Sequence, residues 1–159
     1  MRPIRRPSNR WPTVSRVGEL DVASLALVEV SSEEERFPID NAFDGQRGPG
    51  GSCWMASEPG EQSVLLSFHK PQRLRALSIE IEEHRNTRMQ HVRLLVSQDG
   101  GKTYEELLAR DFTFSPYGQT FERETWDLSL EGVTHLLLRI TPHKAQGSSR
   151  ASLTSLVLR

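Results

Sequence analysis

A chain of 159 residues is long enough for one domain around one core, burying about two thirds of the surface that the unfolded chain exposes. Twenty Lys and Arg against 21 Asp and Glu leave a formal net charge of -1, which removes any overall pull toward nucleic acid or an anionic bilayer. The lone Cys53 excludes an intramolecular disulfide framework, and no run approaches the roughly 18 apolar residues of a membrane-spanning helix, so membrane insertion is not expected.

Residues 1–20 are expected to form an extended basic N-terminal tail. Met1 to Gly18 hold five Arg and three Pro and too little aliphatic material to order themselves by burial. Trp11 is the one aromatic among these charges, a thin signal for nucleic acid. No apolar stretch of leader type follows Met1 to Pro7, so the expected location is the cytoplasm.

Residues 21–159 are expected to form a single all-β domain. From Leu25 onward, short runs of Val, Leu and Ile alternate with clusters of Gly, Pro, Ser and Asp, the pattern of a β-sandwich. Pro38 to Phe43 predicts one short helical turn. Val64, Leu66 and Phe68 share one face at period two, as do Leu77, Ile79 and Ile81 against Ser78, Glu80 and Glu82, which predicts two half-buried strands. His69-Lys70-Pro71-Gln72 predicts a hairpin-like turn between them, since proline fixes φ and cannot donate to a ladder. Val92, Leu94 and Val96 mark another strand, and Asp99-Gly100-Gly101 predicts a tight turn in which glycine supplies positive φ. Trp126 alternates with Leu128 and is read as packing. Leu136 to Ile140 and Leu153 to Leu158 supply the last strands.

The loop His84-Arg85-Asn86-Thr87-Arg88 gathers an imidazole, two guanidiniums and an amide between two predicted strands. Sugar hydroxyls both donate and accept, and planar guanidinium or amide groups bridge adjacent hydroxyls with paired bonds. A sugar ring also needs an aromatic platform against its apolar face, for which Phe37 and, less directly, Tyr117 are the candidates. The plainer reading is a charged hairpin loop. Catalytic residues are not expected. Cys53 beside Trp54 reads as an inert small hydrophobe. His84 and His91 have no acidic third ligand at metal-site spacing, and Glu33-Glu34-Glu35 reads as a solvated acidic loop.

Asn41-Ala42-Phe43-Asp44-Gly45, then Ser52-Cys53-Trp54, then Ser97-Gln98-Asp99-Gly100-Gly101-Lys102-Thr103-Tyr104 follow one another in an order that resembles the discoidin, or coagulation factor 5/8 type C, domain family over Val22 to Arg159. The resemblance implies a galactose-binding-like jelly-roll β-sandwich of two antiparallel sheets that binds and does not catalyse, with Trp54 in the core. It makes Arg85 and Asn86 the matches to an Arg and an Asn that hold a galactose-type ring. Arg88 and His84 then add hydrogen bonds and Phe37 stacks. It also implies a calcium loop at Asn41 to Asp44, with the Asp44 carboxylate as a ligand. Gln46 and Ser155 stand where relatives carry further oxygen ligands, so Asp44 is a weak calcium candidate, expected instead to cap a turn, and no cofactor is required. Ser97 to Tyr104 is also similar to the Asp-box of sialidases. One copy in this length builds no propeller, so it is expected to be a hairpin turn with Tyr104 packed beneath.

The expected function is that of a non-catalytic carbohydrate-binding module. Its loops Ser31 to Phe37, Gln46 to Ser57, Glu82 to Arg88 and His143 to Arg150 would meet at one end of the sandwich. The alternative is an intracellular protein–protein interaction module on the same fold.

Overall fold

The structure, a computed structural model, describes residues 4–6, 18–85, 87–142 and 149–159. The period-two stretches are strands, and two strands run well beyond their apolar runs. Strand β4 (Gln62–Glu82) takes in both Val64 to Phe68 and Leu77 to Ile81, and β7 (Phe121–Pro142) takes in both Trp126 and Leu136 to Ile140. They pair antiparallel from Gln62 opposite Ile140 to Glu82 opposite Phe121, with register shifts between Ser67 and Ala76. Pro71 therefore does not turn the chain back, contrary to the sequence expectation. Its missing N–H falls where the ladder is already shifting, and Gly132 in the facing strand takes φ 67°. Such irregularities let a strand bend from one layer of a sandwich into the other.

The remaining strands attach to this bent pair. Strands β1 (Ile4–Arg6), β2 (Ala26–Val30), β5 (Arg88–Ser97) and β6 (Glu105–Phe114) complete the order β1-β2-β4-β7-β5-β6. Strand β9 (Ser155–Leu158) pairs with the second half of β4, and β3 (Trp54–Pro59) pairs with β8 (Arg150–Leu153). Thr154 separates β8 from β9, so the apolar run Leu153 to Leu158 serves two pairings and not one. The core contains Trp54, Leu66, Leu77, Ile79, Ile81, Leu94, Phe112, Leu136, Leu138 and Ile140, all fully buried. The indole N–H of Trp54 donates to the Ser32 carbonyl at 3.0 Å, which satisfies the polar edge of that ring in the core. Trp126 and Leu128 pack against its edge.

Part of the expected tail is ordered. Ile4 to Arg6 pair with Val30 to Val28 as an edge strand, since a main-chain ladder needs no apolar side chains. Leu20 N–H donates to the Leu158 carbonyl at 2.8 Å. Residues 7–17, Trp11 included, lie outside the described residues. The expected turn at Pro38 to Phe43 is a 3-10 turn, Ile39–Phe43.

Asp99 organises the β5–β6 hairpin turn. One carboxylate oxygen accepts from Ser97 Oγ at 2.7 Å, Lys102 N at 3.1 Å and Thr103 N at 3.0 Å, and the other accepts from Thr103 Oγ1. Gly101 has φ 87°, and a Cβ there would lie 3.3 Å from the His135 ring. That ring meets Tyr104 edge-on, with centroids 6.5 Å apart.

Candidate functional site

The loop from Glu82 to Arg88 rests on a buried polar network. Arg88 opens β5, and its side chain is 5% exposed. Its terminal nitrogens donate to the Arg150 carbonyl at 2.6 Å, to Gln90 Oε1 at 3.2 Å and to Ser152 Oγ at 2.9 Å. Gln90 Nε2 donates to the Ser152 carbonyl at 2.8 Å, and Ser152 N–H donates back to Gln90 Oε1 at 3.1 Å. Arg88 Nε lies 3.0 Å from Glu83 Oε1, an ion-pair distance, but off the line of its N–H bond. Desolvation lowers the guanidinium pKa, and the Glu83 charge opposes the shift. Arg88 therefore sits beneath the loop, not on its rim.

Three neighbouring segments are tied to this base. Glu83 N–H donates to the Thr120 carbonyl at 2.8 Å, which joins the loop to the β6–β7 hairpin, where Tyr117 is fully exposed. Arg150 pairs with Glu34, and the Glu34 carbonyl accepts from Phe37 N–H at 3.0 Å. Phe37 is 37% exposed. Glu82 accepts from Gly50 N–H and lies 3.2 Å from His84 Nε2, so the loop before Trp54 reaches the same end.

On this platform His84 and Arg85 are exposed. Glu83 Oε2 accepts the Arg85 N–H at 3.2 Å, and the Arg85 guanidinium has no partner among the described residues. Asn86 and residues 143–148 lie outside the described residues. The structure thus joins the segments carrying His84, Arg85, Arg88 and Phe37 with the hairpin that carries Tyr117, the less direct aromatic candidate. Sequence reasoning missed Glu83, Gln90 and Ser152. A signal for Gln90 and Arg88 existed, since both have the parity of Val92 and Leu94 on the inward face of β5.

Asp44 follows the 3-10 turn. Its Oδ1 accepts Gln46 N–H at 2.9 Å and its Oδ2 accepts the Ser52 hydroxyl, so the carboxylate caps a turn. Calcium takes six to eight oxygen ligands. A carboxylate already engaged on both oxygens within its own turn is a poor fit for that ion. No group of three His, Cys, Asp or Glu residues is placed to hold a metal among the described residues. Cys53 is half-buried, and desolvation followed by the Glu82 charge pushes its thiol pKa up, away from the range of a nucleophile.

A bent-strand sandwich with a polar loop end on a buried network is the architecture of a galactose-binding-like jelly roll. The F5/8 type C domain model matches residues 28–156, and the chain belongs to that family. Among solved structures, the chain is similar to the CBM32-3 module from a family 31 glycoside hydrolase of Clostridium perfringens. The TM-score is 0.63 at 16% identity, covering 91% of this chain and 98% of that one. The family 32 module of C. perfringens NanJ in complex with galactose gives a TM-score of 0.55 at 17% identity, over 82% and 90% of the two chains. The C. perfringens module CpGH89CBM32-4 in complex with GlcNAc-α-1,4-galactose gives 0.59 at 14%, over 91% and 96%. At these identities the likeness is one of fold. The comparison with curated protein sequences gave no match.

Proposed function

We propose that the loop end is a carbohydrate-binding site for a galactose-type sugar and that the module works by binding and not by catalysis. The observation that carries this reading is the Arg85 guanidinium, without a partner among the described residues and exposed above the buried Arg88 network. Its planar fork presents paired donors to adjacent hydroxyls, and the bond from Arg85 N–H to Glu83 ties the backbone that carries it to the loop's base. His84 adds a hydrogen bond, Asn86 is assigned from the sequence alone, and Phe37 or Tyr117 offers a ring face. Arg88 acts by positioning the loop. Two of the similar structures hold galactose or a galactose-containing ligand, which supports the choice of sugar. Affinity is expected near millimolar, about 4 kcal/mol, because an open site buries little of a monosaccharide.

A glycan-array screen, run with calcium and again with chelator, tests this reading. A reproducible galactose-type hit that is lost in Arg85→Ala and indifferent to chelator is the expected result. A blank array from folded protein would overturn it and turn the search to a protein partner.

A further inference from the structure

The face of β4, β7 and β9 opposite the core carries a second polar concavity. Ser78 and Glu80 alternate with the core residues Leu77, Ile79 and Ile81, and they stand opposite Thr125 and Arg123 of β7 and Val157 and Ser155 of β9. With Arg47 and Arg159 these strands enclose an open cavity of about 340 Å³. Three guanidiniums line it: Arg47, Arg123 and Arg159.

The carboxylates nearby are already engaged. Glu80 accepts from Gly48 N–H at 2.7 Å and from Arg123 Nε at 3.1 Å. Glu19 accepts both terminal nitrogens of Arg47 at 2.7 Å and one of Arg159 at 3.3 Å. Both terminal nitrogens of Arg123, and Nε and one terminal nitrogen of Arg159, have no hydrogen-bond partner among the described residues. Arg47 Nε is a buried donor with no partner there. Ser78 Oγ and Thr125 Oγ1 lie 2.8 Å apart. One hydroxyl donates to the other, so one hydroxyl hydrogen remains for a ligand.

We propose that this cavity is an oxyanion site for a carboxylate, sulfate or phosphate group, free or carried on a sugar. Its unspent donors are the terminal fork of Arg123, whose geometry matches such groups with paired charge-assisted bonds, and single N–H groups of Arg159. The lining has no aromatic ring, and Val157 is its one apolar residue. A neutral sugar would find no platform there, so charge selects the ligand. The cavity shares none of its lining residues with His84, Arg85, Arg88 or Phe37, and it does not depend on the galactose reading.

Isothermal titration with sodium glucuronate, sodium sulfate and inorganic phosphate tests the proposal, using wild type, Arg123→Met and Arg159→Met. Arg123→Met leaves buried Glu80 short of a partner, so Arg159→Met, at an exposed position, guards against a folding artefact. Saturable binding that falls about tenfold in either variant is expected, the loss that goes with one charge-assisted hydrogen bond. Binding of all three anions marks a bare oxyanion site, and binding of glucuronate alone marks a uronic acid site. Galactose binding is expected to be unchanged in both variants. No heat with any of the anions from folded wild type, or equal affinity in wild type and both variants, would overturn the proposal.

Discussion

Two polar turns lie on either side of β5 and use their side chains in opposite ways. In the Asp99 turn, both carboxylate oxygens point back onto the turn's own amides and hydroxyls. In the Glu82–Arg88 loop, Arg88 is turned down into the sandwich while Arg85 is left without a partner among the described residues. The difference teaches that polarity alone does not mark a site. A carboxylate spent on its own turn has little to offer a ligand, whereas an uncommitted guanidinium above a buried base does.

Breaking the base should have the largest effect. Arg88→Ala is expected to lower stability by about 3 kcal/mol in urea unfolding, because Glu83, Gln90 and Ser152 lose their partner in a buried setting. Next comes the self-satisfied turn. The Thr103 hydroxyl above all, then the Thr103 amide and the Ser97 hydroxyl, hold the Asp99 carboxyl well below the usual carboxylate range. A depressed folded pKa contributes stability above the ordinary value of 3.8, and that contribution is lost as pH falls toward the folded value. Asp99→Asn should therefore lower Tm by a constant amount above about pH 5 and by progressively less below about pH 4. Its sugar affinity should match wild type.

The rim should show the converse. Arg85→Ala is expected to change stability by less than about 0.5 kcal/mol. Its galactose affinity by isothermal titration should fall at least about tenfold. Tyr117→Ala is the smallest expected change. Its ring is fully exposed, so stability should not move, and loss of a stacking contact predicts roughly a threefold weaker affinity.

Much of the fold was legible because half-buried strands carry period two in their side chains. That Val64 to Phe68 and Leu77 to Ile81 belong to one strand was not, since the bend at Pro71 is made by pairing with β7 across Gly132. The loop could be chosen as a candidate site from its residue types. Its base was harder to see, because Arg88 reads as a surface charge until Gln90 and Ser152 are brought beside it. The ties from Glu83 to Thr120 and from Arg150 to Glu34 join segments distant in sequence, which no local pattern announces.

The most direct test of the central claim is a two-dimensional amide NMR titration of the wild-type chain with galactose. Saturable shifts are expected at Glu83 to Thr87, Phe37 and Thr120, with Asp99 to Thr103 silent. Saturable shifts centred on the Asp99 turn, or no saturable shift anywhere, would contradict it.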